Sequence, residues 1–417
     1  MFLTYFDTDN VSPTVIKKNV SDLKNYRKKV TKTIESRDDT KPEYSLIHVA
    51  APEVHELLDG LKKDFKQIKH LALIGIGGSN LGTAAIHEVL DEGKVKLSQL
   101  DTVSAVDIDA LLEELKLYRS EKNVAICVIS KSGGTAETIS NAGVLLSALE
   151  DKFGKAIYKQ TIFIGNGGAD FMKAAKRLGA RAVSMPEIVG GRYSVTTEVG
   201  LVPLTLLGHD VDSYIQGVVD SANEEFEELT AEAAARIYAY QKKKYVHYNF
   251  FAFEKRLYKL GAWYRQLFAE SLGKAKDKKR QPVKTGMLPT ISTAVELHSV
   301  GQLYLSGFSG VYTDFVTFDD DSTDYDIPKK GISKTYGRFT VQEVATAIYG
   351  GVIGAYQEKQ LAYRSTILEE NRAYSLGLFM AMRMREIMYT AELMGVNAFD
   401  QPNVELYKDK TRAILKI

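Results

Sequence analysis

Short apolar runs alternate with segments of helical periodicity through the first half of this chain, and few folds permit that rhythm. Residues 71–76, 102–106, 124–129, 161–164 and 182–185 form the runs. Each is too short for a buried helix and nearly free of polar breaks, as expected of strands covered on both faces. Strands of this kind separated by helices predict βαβ units, hence a parallel sheet flanked by helices. A pause at Gly208-His209-Asp210 suggests a boundary. Beyond it the pattern predicts helices over 211–228 and 231–243, a strand over 245–252 and a long helix through 263–272. Strands around 311–318 and 364–368, with helices around 340–357 and 373–395, make a second α/β unit, and a last helix is expected over 401–414. The expected organisation is a mainly helical segment over 1–50, α/β units over 51–208 and 209–395, and a helical arm over 396–417.

Composition narrows the function without choosing it. Of the 417 residues, 45% are apolar, enough to fill two such cores. The 54 basic and 53 acidic side chains leave a net charge of +1. No overall field therefore recruits nucleic acid or an anionic membrane, and anion recognition must be local. The only cysteine, Cys127, sits inside an apolar run, which predicts a buried thiol and excludes an internal disulfide framework. The N-terminus meets Asp7 and Asp9 early and has no basic region before an apolar core. No apolar run reaches the ~18 residues of a spanning helix, so a cytoplasmic protein is expected.

Two glycine-rich stretches carry the chemistry. One runs Gly75-Ile76-Gly77-Gly78-Ser79-Asn80-Leu81-Gly82 and the other Ser130-Lys131-Ser132-Gly133-Gly134-Thr135-Ala136-Glu137-Thr138. Each follows an apolar run and opens a helix, where glycine lets backbone approach a ligand and free N–H groups suit an oxyanion. A glycine turn alone is usually a plain βα connection. Here Ser130, Ser132, Thr135 and Thr138 supply more hydroxyls than a turn needs. The dinucleotide pattern breaks at Asn80, and no Gly-Lys-Ser/Thr completes a P-loop. A phosphate is favoured over a nucleotide.

Four further stretches are candidates. Gly190-Gly191-Arg192-Tyr193-Ser194 holds Arg192 on glycine-permitted backbone. Glu270 ends an aromatic-rich helix, where an apolar collar would tune a carboxylate as a general base. His298 stands among Ser, Gly and Gln, unlike His48, His55, His70, His87, His209 and His247, which read as structural or surface residues. Gln401 and Lys408 are seven apart and share a helical face two turns on. The basic runs 242–244 and 274–280 read as solvated surface. No His, Cys or carboxylate cluster has zinc spacing, so no metal is implied.

Taken in order, these motifs resemble those of the phosphoglucose isomerase family over about residues 50–412, in its shorter bacterial form. The resemblance implies two sugar isomerase domains, each a parallel sheet flanked by helices. It also implies a homodimer with sites between subunits and the cofactor-free interconversion of glucose 6-phosphate and fructose 6-phosphate. On matching positions, Ser130, Ser132, Thr135 and the backbone of Lys131 become the phosphate cradle, with Gln401 assisting. Gly78 and Ser79 lie along the sugar, with Gly191 beside Arg192. Glu270 becomes the base moving a proton between C2 and C1, Arg192 the stabiliser of the cis-enediolate, and His298 with Lys408 the ring-opening pair. Gly134 and Ala136 lack hydroxyls that many bacterial members carry. Relatives acting on mannose 6-phosphate use similar parts, and some sugar isomerase domains only bind a sugar phosphate. A binding module needs the cradle but not Glu270, Arg192, His298 and Lys408 together.

Overall fold

The computed structural model describes residues 1–8, 11–306, 308–319, 323–369 and 372–416. Its strands, in chain order, are β1 (Phe2–Phe6), β2 (His70–Ile74), β3 (Lys96–Leu100), β4 (Val124–Ile129), β5 (Thr161–Gly165), β6 (Arg181–Ser184), β7 (His247–Ala252), β8 (Leu288–Thr293), β9 (Val311–Phe318) and β10 (Tyr363–Leu368).

The first sheet has the order β3-β2-β4-β5-β6, with every pairing parallel. Its inner strands β2, β4 and β5 are buried along their whole length, which is why their sequences read as unbroken apolar runs. The chain leaves β2 toward one side, to β3, and continues from β4 toward the other. The carboxyl ends of β2 and β4 therefore flank the switch point where such sheets place ligands. Ile74 lies opposite Val128, so the two glycine-rich loops emerge side by side.

Residues 102–106, expected as a strand, are not one. The strand is β3, a half-exposed edge with the mixed sequence Lys-Leu-Ser-Gln-Leu. The apolar signal came from Val103 and Val106, which are 61% and 77% exposed around the start of the helix Ala105–Lys116. Ser104 caps that helix by accepting from Asp107 N at 3.2 Å.

The second sheet has the order β1-β10-β9-β7-β8. Four of its strands run parallel, and β1 closes one edge antiparallel to β10, with Phe2 opposite Ile367. The N-terminal segment, expected to be mainly helical, thus contributes a strand before its helices Pro13–Asp22 and Lys24–Ser36. The helices expected over 211–228 and 231–243 are Val211–Asp220 and Glu224–Lys242. Their break falls earlier because Glu224, Glu225 and Glu227 form a first turn, where negative charge suits the helix dipole.

One apolar core runs through both halves, from Leu71 and Cys127 to Trp263, Phe268 and Phe379. Beneath the second sheet, Arg364 and Arg383 are buried against Asp314 and Glu386, with Arg364 Nε donating to Asp314 at 3.0 Å and Arg383 to Glu386 at 2.9 Å. Opposite charges buried together offset part of the cost of desolvation, and the group ties β9 and β10 to the helix Arg372–Met394. The helix Tyr258–Leu272 packs across Leu81–Leu90, which carries a second-half helix to the ligand-binding edge of the first sheet.

Candidate active site

The loop after β2 touches the Gly190–Arg192 segment backbone to backbone. A Cβ on Gly78 would fall well inside van der Waals contact of the Gly191 carbonyl oxygen, so only glycine fits. Gly77 has φ of +62°, and a Cβ there would meet Gln266 Nε2 at 2.8 Å. Ser194 joins the two segments, donating to Gly191 O at 2.7 Å and Gly78 O at 3.3 Å.

After β4 the chain turns at Gly133, φ +70°, before the helix Ala136–Phe153. The hydroxyls of Ser130 and Thr135 meet at 2.9 Å, Gly133 N donates to Ser130 Oγ at 3.1 Å, and Gly134 N to Ser132 Oγ at 3.3 Å. Ser130 is buried, whereas Ser132 faces solvent and Lys131 and Thr135 are half-buried. Hydroxyls and N–H groups that satisfy one another in this way can turn to an arriving anion. Burial lowers the Lys131 pKa, and the Arg192 charge lowers it further while Glu187 opposes both. A phosphate dianion seated near these two cations would relieve that stress.

Glu270 lies in the last turn of the helix Tyr258–Leu272. Trp263, Tyr264, Leu267 and Phe268 are buried in the core, while Gln266 and Glu270, four apart, share a less buried stripe of the helix. The expected apolar collar is absent. Instead each carboxylate oxygen has a donor, Gln266 Nε2 at 2.9 Å and Arg192 NH1 at 3.2 Å.

Arg192 is 3% exposed and spends its whole guanidinium. Nε donates to Ser271 Oγ at 2.9 Å and NH1 to Gln401 Oε1 at 2.9 Å as well as to Glu270. NH2 donates to Ala398 O at 2.6 Å and Asp400 O at 2.9 Å. Arg192 therefore gathers the Glu270 helix and the 398–401 strap around one cation.

His298 and Lys408 are not bonded into this group. His298 ends a short turn after β8 and is exposed, while Lys408 pairs with Glu405 at 2.8 Å on the helix Glu405–Leu415. Among the described residues neither bonds to Glu270, Arg192 or Gln401. Their elements expose apolar side chains too, Val295 and Leu303 near His298, and Leu406 and Tyr407 near Lys408. Other histidines pair away from the site, His48 with Glu198, His70 with Ser98 and His87 with His209. Burial pushes the Cys127 thiol up, which keeps it from acting as a thiolate.

Sequence reasoning assigned no role to Gln266, Ser271 or Asp400. Gln266 had a signal, its spacing of four from Glu270; Ser271 and Asp400 had none beyond adjacency to named residues.

Residues 54–329 match the phosphoglucose isomerase family. The chain belongs to that family. A glucose-6-phosphate isomerase of Thermus thermophilus is 31% identical over 354 residues, covering 83% of each chain. Among solved structures, a hypothetical protein of the same organism superposes with a TM-score of 0.85 at 27% identity, over 99% of this chain and 100% of that one. A glucose-6-phosphate isomerase of Chlamydia trachomatis superposes with a TM-score of 0.82 at 17% identity, over 99% and 88%. At that identity the likeness speaks for the phosphoglucose isomerase fold alone. Among the described residues no helix is long and apolar enough to cross a membrane.

Proposed function

We propose that this chain is an aldose–ketose isomerase that interconverts glucose 6-phosphate and fructose 6-phosphate through a cis-enediolate, in the cytoplasm and as a homodimer. The observation that carries this reading is the Glu270 carboxylate, held by Gln266 and Arg192 beside the paired loops at the sheet's switch point. Isomerisation needs a base that reaches two adjacent carbons, a positive charge near the developing enediolate and an anchored phosphate. In this scheme Glu270 takes the proton from C2, becomes the neutral acid and returns the proton to C1. Arg192 faces the oxygens that gain charge. Ser130, Ser132, Thr135 and Lys131 N–H hold the phosphate with Gln401, and Gly78, Ser79 and Gly191 line the sugar. His298 and Lys408 move protons at the ring oxygen and the C1 hydroxyl to open the ring.

The cradle makes a direct test. Purified protein incubated with fructose 6-phosphate should form glucose 6-phosphate, with inorganic phosphate competing. Ser132→Ala and Thr135→Ala should each weaken sugar-phosphate binding by about 1–2 kcal/mol, the worth of a hydrogen bond to a charged acceptor. Calorimetry that finds full-strength binding by the double variant would move the phosphate elsewhere.

The homodimer is favoured because His298 and Lys408 lie on exposed elements and, among the described residues, make no bond to Glu270. A second copy would cover those surfaces and bring the partner's His298 to each site. Inactive Glu270→Gln and His298→Ala chains should then complement when mixed and refolded. Each hybrid would hold one doubly defective site and one intact site, so random pairing should restore roughly one quarter of parental activity. Hybrids confirmed by native mass spectrometry yet inactive would place His298 in the same subunit's site.

A further inference from the structure

We propose that Lys274 is a positioning residue for the isomerisation, setting the place of the Glu270 carboxylate relative to the 398–401 strap; the proposal rests on Glu270 as the base. Lys274 begins the basic run 274–280, yet it is unlike the rest of it. Lys276, Lys278, Lys279 and Arg280 are exposed, whereas the Lys274 side chain is 7% exposed. Burying an ammonium is costly unless all its protons are matched. Here the three N–H donors meet three acceptors: Glu270 O at 2.7 Å, Asp400 Oδ1 at 3.0 Å and Asp400 O.

The first acceptor is one of the carbonyls that a helix end leaves unpaired, since Gly273 closes Tyr258–Leu272 just beyond it. A cation there also suits the negative end of the helix dipole. The other two acceptors lie on the residue next to Gln401. Arg192 reaches the same Asp400 carbonyl at 2.9 Å and spans the Glu270 and Gln401 side chains. Two cations thus bridge the same pair of segments, Arg192 through the Glu270 and Gln401 side chains and the strap carbonyls, and Lys274 through the Glu270 carbonyl and two oxygens of Asp400. Only the first bonds the Glu270 carboxylate itself; Lys274 holds the main chain that carries it. A base that serves both C1 and C2 has little tolerance for a shift of its helix end, because transfer falls steeply with misplacement.

Lys274→Met removes every donor and keeps the stem, while Lys274→Arg keeps charge and donors. With fructose 6-phosphate, Lys274→Met should lower kcat at least about tenfold with KM within about threefold, and Lys274→Arg should recover much of the loss. The ratio of proton exchange with solvent to intramolecular transfer between C1 and C2 should also change by about threefold or more in Lys274→Met, since a displaced acid gives up its proton before delivering it. That ratio belongs to each working site and does not depend on the fraction folded, so it separates positioning from support of the fold. A parental ratio in Lys274→Met, or a kcat loss no larger than its loss of folded protein, overturns the proposal. Glu270→Gln run alongside distinguishes the layers. If it is inactive while Lys274→Met keeps the parental kcat and ratio, only the role of Lys274 falls; if it is active, the base assignment falls and this proposal with it.

Discussion

Glu270→Gln is expected to lower kcat by roughly 100- to 10,000-fold, the usual cost of deleting a general base, with KM within about threefold. The amide has the shape of the carboxylate but cannot accept a proton from C2. Its placement should persist, for a specific reason. The amide oxygen can keep the hydrogen bond from Arg192 NH1, now 3.2 Å from Glu270 Oε2. The amide nitrogen would then face the Gln266 Nε2 donor, now 2.9 Å from Oε1, and Gln266 must flip to present its own oxygen. That oxygen is buried and has no partner in the present arrangement, so the flip gives it one. Binding of fructose 6-phosphate should therefore survive while chemistry stops. Isomerisation and solvent exchange at C2 are the measurements, and a variant within threefold of the parent in both would remove Glu270 from the role of base.

What could be read in the sequence, and what could not, divides along physical lines. Strands β2, β4 and β5 announced themselves because both faces are buried and nearly every position is apolar. Three edge strands gave no such signal, although the edge strand β6 was legible as the run 182–185. β1, β3 and β8 all close a sheet edge, and β3 carries Lys96, Ser98 and Gln99 because one side meets solvent. The loops of the site were legible for a different reason, since Gly77 and Gly133 combine positive φ with neighbours that a Cβ would overlap, and Gly78 needs a bare Cα. Hydroxyl density added the chemistry. Lys274 was hidden in a run of exposed lysines, and nothing local marks which member of such a run folds inward. The Arg192 clamp was beyond local reading, because its partners Ala398, Asp400 and Gln401 lie more than two hundred residues away in sequence. The family resemblance pointed to Arg192, Glu270 and Gln401 as one group, and the hydrogen bonds give the physical account of why they converge.

Arg192→Lys should lower turnover by about 3 kcal/mol, near 100-fold, the scale of a lost oxyanion donor. The guanidinium places five N–H donors in a plane, and all five are used on Ser271, Glu270, Gln401, Ala398 and Asp400. An ammonium has three. At least two of the five bonds must be lost, and the carbonyl of Ala398, 4% exposed, would keep only the longer bond from the Tyr193 hydroxyl at 3.5 Å. Each such loss costs about 1–3 kcal/mol, so the variant should also unfold at a lower temperature. The two effects come from different edges of the same group. NH2 and Nε hold the strap and Ser271, whereas NH1 alone faces Glu270 and Gln401, and its 3.2 Å bond to Glu270 is the longest of the five. As the longest, that bond is the one expected to be exchanged when substrate oxygens gain charge, which would give a buried clamp one edge to serve the transition state. Turnover should therefore fall more than affinity. If Arg192→Lys raised KM and left kcat unchanged, NH1 would be acting on the bound substrate in its ground state, and stabilisation of the enediolate would have to come from another group.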